Sequence, residues 1–312
     1  MSAIPPPERF WKLEDGKWEI ESRKRFCRAK EIRVIRQLMP CFRPPSQSQD
    51  SGKSMSMSMS MSMSEIEKDD WIKLDLHIHT LDDPKDKLDY SAHELLARAR
   101  RLGFSVLAIT LHDAVFDRPE VFAAAQRLGI LLISAAEMRI EGADIILLNV
   151  TGEDVEGLRT FDDVRQLRSR RAETLFTIAP HPFYLLGGSI GKRLLDQIDC
   201  FDAIELCHFH KGFFNPNRRA MKIAEKFGKP LVATSDAHQL NAFGRHYTTI
   251  PRPSSLTAES IFAQLRTGRL RINSPAATFQ EIISTFYFVF IEHPLRCRFH
   301  HSNCGGSGAK SI

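Results

Sequence analysis

The first residues of this sequence that could do chemistry are two histidines one residue apart, in the segment Leu76-His77-Ile78-His79-Thr80. The segment alternates in hydrophobicity as a β-strand does, and residues two apart on a strand point to the same side. Two imidazoles on one strand face can bind a single metal ion if the strand ends at a pocket. Because a His-x-His pair alone is weak support for a metal site, its interpretation depends on the other histidines.

Seven of the 12 histidines come at or directly after the end of a predicted strand. In an α/β barrel the carboxyl ends of the strands lie on one face, where such barrels have their active sites. Histidines placed by chance would fall equally on helices and linkers. The sequence therefore predicts one pocket lined by His77, His79, His112, Asp113, Glu137, His181, His208, His210, Asp236 and His238.

Short apolar segments alternate with amphipathic helices through the middle of the chain. This alternation predicts a parallel sheet, and about seven such units in roughly 200 residues favour a closed α/β barrel. The predicted helices are 91–102, 118–128, 161–171, 217–227 and 258–267, and the segment 190–198 continues the alternation between the strands on either side of it. The predicted strands are 73–79, 104–110, 130–134, 145–150, 175–178, 203–206, 231–234, 247–250 and 269–272.

The two ends of the chain differ from this pattern. Residues 1–70 contain Pro5-Pro6-Pro7 and five consecutive Met-Ser repeats at 55–64, which predict an irregular, low-complexity extension and linker. Residues 276–312 predict an appended, poorly ordered tail. We therefore expect a catalytic barrel over residues 71–275 between two irregular extensions.

Composition narrows the class of protein. The formal charge of +5 is spread without a basic arm or stripe, so charge does not indicate a nucleic-acid surface. The six cysteines include no Cys-x-x-Cys pair, which favours reduced thiols and a cytoplasmic location. No apolar run reaches the ~18–20 residues of a membrane span. The oligomeric state is not indicated.

Five segments from the strand ends also resemble, in order, the motifs of the polymerase-and-histidinol-phosphatase (PHP) family. The resemblance covers about residues 71–274. It implies a distorted seven-stranded (β/α) barrel, hydrolysis of phosphate esters and two to three divalent ions, with zinc, manganese and iron favoured and magnesium a further candidate. The segments are Leu76-His77-Ile78-His79-Thr80, Ala108-Ile109-Thr110-Leu111-His112-Asp113, Ala135-Ala136-Glu137, Ala179-Pro180-His181-Pro182 and Ser235-Asp236-Ala237-His238.

The resemblance also implies a ligand set, from which this sequence departs at two positions. Leu111 replaces an aspartate that is common in the family, and Asp144 matches a position that is often histidine. Aspartate can still bind a hard or borderline cation, so Asp144 stays a candidate ligand. One ion is expected on His77, His79, Glu137 and Asp236, and the others on His112, His181, His238 and either Asp82 or Asp83.

The expected activity is hydrolysis of a small phosphorylated metabolite or nucleotide by a metal-activated hydroxide that attacks phosphorus. Two metal ions about 4 Å apart can activate that hydroxide and hold the oxygens of an in-line displacement. Alternatives are an exonuclease or cyclic phosphodiesterase acting on short oligonucleotides, and a non-catalytic metal-bound interaction module. The candidate catalytic residues are His112, Asp113 and His208, and the candidate phosphate-binding residues are Arg139, Lys211, Arg218 and Arg245.

Several residues near these motifs have less specific expectations. Of His208 and His210, one is expected to ligate an ion or donate to phosphate and the other to line the loop. Glu205 is expected to orient a ligand histidine. We expect His93 and His246 on the surface, and 85–87 in a solvated loop.

Overall fold

The computed structural model describes residues 71–184, 187–211, 215–287 and 290–291, together with the strand backbone of 9–14 and 17–22. Two of the six cysteines, Cys200 and Cys207, lie in these ranges as buried free thiols. Within the same ranges, no helix combines the length and the apolar character needed to cross a membrane.

Seven strands, each hydrogen-bonded to the next, form the centre of the fold. Most of their residues are buried, as expected for strands that are covered on both faces. The strands are β3 (Trp71–Ile78), β4 (Phe104–His112), β5 (Leu131–Ile140), β6 (Ala143–Leu148), β7 (Phe176–Ala179), β8 (Ala203–Leu206) and β9 (Leu231–Ala233).

The first and last of these strands meet, so that the sheet almost closes. Ile78 at the end of β3 forms a parallel bridge with Ala237, four residues beyond β9. The amide of His79 donates to the Ala237 carbonyl at 3.2 Å, and the amide of Asp236 donates to the His77 carbonyl at 2.9 Å. The expected α/β barrel class is therefore confirmed.

The strand directions are mixed, whereas a parallel sheet was expected. The sets β3-β4-β5 and β7-β8-β9 are parallel, but β6 runs antiparallel to both β5 and β7. The physical reason is the connection between β5 and β6, which consists of Glu141 and Gly142 at φ 48° and 78°. Two residues in the left-handed region form a tight hairpin turn, which can only join antiparallel strands.

The helices begin and end close to where the sequence predicts. Ser91 caps the helix Ala92–Leu102 (α1) by accepting from the Glu94 amide, while the Glu94 carboxylate accepts from the Ser91 amide at 2.8 Å. Gly103, at φ 75°, ends this helix in the left-handed conformation. The helices are α1 (Ala92–Leu102), α2 (Pro119–Arg127), α3 (Gly152–Val155), α4 (Phe161–Arg170), α5 (Asn217–Phe227), α6 (Ala258–Arg266) and α7 (Phe279–Tyr287).

The segment 190–198, expected to continue the alternation between two strands, is helical. Two short 3-10 helices, Gly191–Leu195 and Ile198–Cys200, occupy this segment. Gly191 has φ 62°, which turns the chain at a point where a strand would stay extended. Ile190 and Leu194 are buried one helical turn apart.

Both flanks contain more regular structure than expected. β1 (Arg9–Glu14) and β2 (Lys17–Ser22) join β10 (Tyr247–Pro251) and β11 (Arg271–Asn273) in the order β1-β2-β11-β10-β3. β2 pairs with β11 in an antiparallel register. Residues 9–14 and 17–22 therefore form strands and are not irregular. The tail likewise forms α7. The Met-Ser repeat lies outside the described residues, and the domain boundaries near residues 70 and 275 stay predictions.

A half-buried ion network holds the strand ends that lie away from the histidines. Arg168 on α4 contacts the Asp202 carboxylate at 2.5 Å, and Arg266 on α6 reaches the same carboxylate at 3.3 Å. The Thr177 amide of β7 donates to Asp202 at 2.9 Å. Burial alone would raise the pKa of Asp202, but Arg168 and the Thr177 amide lower it below its ordinary value of 3.8.

We expect Asp202→Asn to lower the free energy of unfolding by about 2–3 kcal/mol, because two half-buried guanidinium groups lose their anion. The lowered pKa means that the carboxylate stabilises the fold above pH 3.8 and loses this effect as the pH falls below it. The loss of unfolding free energy in Asp202→Asn, measured by chemical denaturation, should be fully present at pH 7 and decrease below pH 3.8. Asp199→Asn, at an exposed carboxylate paired with Arg165, is the control and should cost about 1 kcal/mol or less. Equal losses in the two variants would contradict the assignment.

Candidate functional site

Four side chains aim donor atoms at one point above the carboxyl ends of the strands. The Nε2 atoms of His77 and His79 are 3.2 Å apart, and Glu137 Oε2 lies 3.3 and 3.4 Å from them. Asp236 Oδ1 lies 3.4 Å from both nitrogens. Imidazole nitrogens and carboxylate oxygens each bind Zn²⁺ at about 2.0–2.2 Å, so donors this close together can share one ion. The donor set therefore fits a divalent metal ion.

The strands bring these four residues together by simple rules. His77 and His79 are two apart at the end of β3 and share its inner face. Glu137 on β5 pairs with His112 on β4. Asp236 follows β9 in the left-handed conformation, at φ 45°, and its amide is held by the His77 carbonyl.

Buried carboxylates behind the imidazoles fix which ring nitrogen faces the centre. His77 donates from Nδ1 to Glu205 at 2.9 Å, as expected for an orienting residue. Asp83 Oδ2 accepts from Nδ1 of His79 at 3.1 Å and from Nδ1 of His112 at 2.9 Å. Since Nδ1 is engaged in each ring, Nε2 is left for an ion, the arrangement that metal sites generally use.

Two further groups of donors adjoin the first. His112 Nε2 lies 3.3 Å from Glu137 Oε2, and His181 Nε2 lies 3.5 Å from Glu137 Oε1. The two oxygens of Glu137 thus face different imidazoles, as expected for a carboxylate that bridges two ions. Sets of donors within 4.8 Å of one another are His77–His79–Asp236, His77–Glu137–His181 and His79–His112–His238.

The buried charges of the site depend on one another. Burial opposes protonation of His77, but Asp236, Glu137 and Glu205 outweigh it and raise the pKa of His77 well above its ordinary value. Burial would raise the pKa of Glu137, yet His77 and its neighbours lower it well below the usual range. The carboxylates therefore favour a positive charge among the imidazoles, and a cation bound by the same atoms would supply it.

Three aspartates predicted for the site have other partners. Asp82 accepts from Arg118 at 2.7 Å. Asp83 lies behind the rings of His79 and His112, as described above. Asp113 forms an ion pair with Lys85 and accepts from the amide of Arg139 at 2.6 Å. The contacts described for Asp82 and Asp113 do not include the central imidazoles, and their predicted roles stay predictions.

The histidines after β8 diverge. His208 Nδ1 lies 3.9 Å from Asp236 Oδ2, one of the four side chains that converge at the strand ends. His210 Nε2 instead faces the Ser274 carbonyl at 3.2 Å. His208 is therefore the better candidate for contact with substrate. The expectation that His246 lies on the surface is wrong. Its side chain is 6% exposed, and its Nδ1 lies 3.1 Å from the Ser274 hydroxyl. His93 is exposed, as expected.

The four candidate phosphate-binding cations lie in different surroundings. Arg139 forms an ion pair with Asp144 and is 41% exposed. Arg245 is engaged by Glu281 of α7 and donates to the Ala276 carbonyl at 2.9 Å, so it holds the chain that follows β11. Lys211 lies 5.7 Å from the centre of the Phe279 ring, and Arg218 is exposed on α5. Arg139 is the one of these four whose described contacts reach a residue of the predicted ligand set.

Asp86 is a residue of the site that sequence reasoning missed. The sequence predicts a solvated loop around Asp86, but the Asp86 carboxylate lies 2.9 Å from His238 Nε2 and 3.8 Å from His112 Nδ1. Asp83 Oδ1 accepts from the amides of Lys85 and Asp86, which turns the loop back towards the centre. The sequence signal for this turn is Asp83-Pro84 followed by Asp86, because Asp and Pro favour such turns.

This chain is similar to several known proteins. Residues 214–270 match the PHP-associated family. A search of the curated proteins found no match. A two-domain protein from Bacteroides vulgatus, containing a predicted PHP-like metal-dependent phosphoesterase, aligns with TM-score 0.51 and 18% identity over 66% of this chain and 65% of that one.

Two other solved structures are similar. PsfC from Pseudomonas syringae has TM-score 0.50 and 17% identity over 70% of this chain and 98% of that chain. The lesion-specific endonuclease PfuEndoQ from Pyrococcus furiosus has TM-score 0.48 and 15% identity, over 65% of this chain and 57% of that one.

The fold and the matched segment both correspond to what the strand-end motifs imply. The strands carry those motifs in order around one pocket, and the PHP-associated match extends from α5 to the residues before β11. The resemblance of this chain to the PHP family is therefore confirmed.

Proposed function

We propose that this protein is a metal-dependent phosphoesterase that hydrolyses a small phosphorylated metabolite or nucleotide. The observation that carries the proposal is the set of five donor separations of 3.2–3.4 Å among His77, His79, Glu137 and Asp236. When bound at such a site, divalent ions lower the pKa of water and polarise phosphoryl oxygens. Mixed imidazole and carboxylate donors suit zinc, manganese or iron.

The surrounding residues supply what the reaction needs besides the ions. Glu205 and Asp83 hold the rings of His77 and His79 in the orientation that an ion requires. His208 lies close to Asp236, and no described residue forms a hydrogen bond with its Nδ1, so this atom is available for contact with the substrate. Arg139, at the partly exposed rim, provides a guanidinium for the phosphate oxygens.

A metal-binding experiment tests the site independently of activity. We expect the protein to bind Zn²⁺ or Mn²⁺, and Asp236→Asn or His79→Gln to weaken binding by about ten- to a hundredfold. Binding should weaken further as the pH falls, because the ion must displace protons from imidazoles whose pKa is raised. Titration calorimetry with a competing chelator measures both effects. His93→Gln, on the exposed face of α1, is the matched control, and equal affinity in all variants would refute the site.

Hydrolysis is tested on a panel of phosphomonoesters and phosphodiesters. We expect the metal-loaded protein to release phosphate or cleave the ester, and a chelator to abolish this. His79→Gln and Asp236→Asn should lower kcat/KM by about a thousandfold, since they remove groups on which transition-state stabilisation depends. His93→Gln should retain full activity. A metal-loaded protein that is inert on the whole panel would favour the non-catalytic module instead.

A row of aromatic rings favours nucleotides among the candidate substrates. The Tyr184 ring centre lies 6.0 Å from that of His181, Phe209 lies 6.0 Å beyond it, and Phe286 of α7 lies 6.3 Å from Phe209. Lys211, two residues after Phe209, lies 5.7 Å from the ring centre of Phe279 at the start of α7. Bases stack on such rings, with a gain of about 1–3 kcal/mol per base. The same row would serve a short oligonucleotide, which keeps the exonuclease alternative open.

A matched pair of substrates tests the role of the rings. A nucleoside 5′-monophosphate and ribose 5-phosphate share the sugar and phosphate and differ in the base. We expect kcat/KM to be higher for the nucleotide, and Phe209→Leu to lower it about tenfold for the nucleotide alone. Phe227→Leu, at a part-exposed ring that ends α5, is the control. Equal effects on both substrates would exclude stacking. A cytoplasmic location, favoured by the cysteines, stays a prediction.

A further inference from the structure

His208 differs from the ligand histidines in how its ring is held. The rings of His77 and His79 each meet a buried carboxylate at Nδ1. Nδ1 of His208 is also buried, but no described residue forms a hydrogen bond with it. This atom lies 3.9 Å from Asp236 Oδ2, and the ring stands edge-on to that of His246, with centres 5.9 Å apart. The place of the His208 ring therefore depends on the backbone that carries it.

Asn217, the first residue of α5, anchors the backbone immediately before His208. Its Oδ1 accepts from the Cys207 amide at 2.8 Å, and its Nδ2 donates to the Cys207 carbonyl at 3.0 Å. The Cys207 carbonyl belongs to the peptide group that joins Cys207 to His208, and a peptide group is planar. Asn217 therefore fixes the plane of the peptide group that leads into His208.

This anchor acts where the strand pairing of β8 stops. The last register pair between β8 and β9 joins Leu206 to Ala233. Asn217 is 4% exposed, and its carboxamide presents one acceptor and one donor to Cys207, as a paired residue of an antiparallel strand would. The ordered backbone of β8 thus extends by one residue, to the point where His208 begins.

His210 holds the loop on the other side of His208. The His210 amide donates to the His208 carbonyl at 3.1 Å, and the His210 carbonyl accepts from the Ala277 amide at 2.7 Å. His210 Nε2 lies 3.2 Å from the Ser274 carbonyl. The His208 backbone therefore lies between two buried anchors, Asn217 on α5 and His210 on the chain that follows β11.

Helix formation alone does not account for an asparagine at position 217. The N-cap of α5 is Pro216, which makes no side-chain capping bond, and the Asn217 side chain bonds to Cys207. Alanine is the better helix former, because an asparagine side chain competes for backbone hydrogen bonds. The contact with the end of β8 is therefore what asparagine supplies at this position.

From these contacts we propose that Asn217 is a positioning residue for the reaction and acts through His208. By holding the peptide group between Cys207 and His208, it keeps the His208 ring beside Asp236, where the ring meets the phosphate of the substrate. The ligand histidines are oriented through their ring nitrogens, whereas His208 is oriented through its backbone. The inference rests on the proposed function, because it takes His208 as a contact of the substrate.

A double-mutant cycle tests this relation. We expect Asn217→Ala to lower kcat/KM for a hydrolysed phosphoester about tenfold and His208→Gln to lower it about a hundredfold. The double variant should be as active as His208→Gln alone, because Asn217 has no effect once the ring that it positions is absent. Losses that multiply in the double variant would show a structural role only and would overturn the proposal. Asn217→Asp keeps the acceptor for the Cys207 amide and loses the donor, so its kcat/KM should lie between those of the wild type and Asn217→Ala.

Phosphate binding gives the same test without turnover. Inorganic phosphate is titrated by calorimetry into the full-length protein loaded with Mn²⁺. Asn217→Ala and His208→Gln should weaken phosphate binding about fivefold and about tenfold, with no further loss in the double variant. The affinity for Mn²⁺ should stay within about twofold of the wild type, because the central donors are unchanged. Equal phosphate affinity in the wild type and Asn217→Ala would overturn the positioning role, whereas a protein that shows this cycle but hydrolyses no ester would refute the proposed function alone.

Asn149→Gly is the matched control. Asn149 Nδ2 donates to the Thr174 carbonyl at 2.8 Å, so this variant also removes a hydrogen bond from an asparagine to the backbone. Asn149 follows β6, whose antiparallel direction places it away from the histidines, and its φ of 62° suits glycine. We expect unchanged kcat/KM and phosphate affinity in Asn149→Gly, with the melting temperature of each variant measured alongside. A loss of activity equal to that of Asn217→Ala would assign the effect to general destabilisation and overturn the proposal.

Discussion

The site depends on the contact that joins the end of β3 to the segment after β9. His77 and His79 come from the first strand of the barrel, and Asp236 and His238 come from beyond the last one. Backbone hydrogen bonds across this seam bring the two pairs together. The Tyr90 hydroxyl ties both sides by donating to the carbonyls of His79 and Ala237. Asp75, fully buried, strengthens the same seam by accepting from the Ser235 amide at 3.1 Å.

The same closure concentrates charge in a place with little water. Burial of an unpaired carboxylate is costly, so each of these carboxylates needs a proton-bearing or cationic neighbour. Imidazoles supply that neighbour in the protein alone, which explains why the pKa of His79 is raised while that of Asp236 is lowered. Asp113, His181 and Asp236 also adopt positive φ angles. Such conformations cost about 1–3 kcal/mol each and persist where the surrounding fold enforces them, which here is around the site.

The sequence was sufficient for the features that follow from local pattern. Apolar segments and caps predict the strands and helices to within a few residues in most cases, and strand-end histidines predict a shared pocket because barrel geometry is fixed. Features that depend on turn geometry were missed. The hairpin at Glu141-Gly142, which reverses β6, looks like an ordinary loop unless both residues are assigned positive φ.

Within the site, the sequence could not separate ligands from orienting residues, because both are carboxylates near histidines. Asp83 and Glu137 illustrate the difference. Asp83 meets Nδ1 of His79 and so stands behind the ring, whereas Glu137 meets Nε2 and stands in front of it. Which side a carboxylate approaches is decided by the strand or loop that carries it. Asp83 lies in the loop after β3, stabilised by amides of that loop, while Glu137 projects from a strand whose register is fixed by its pairing with β4. For this pair, the strand therefore supplies the carboxylate in front of the His79 ring, and the loop supplies the carboxylate that orients the ring from behind.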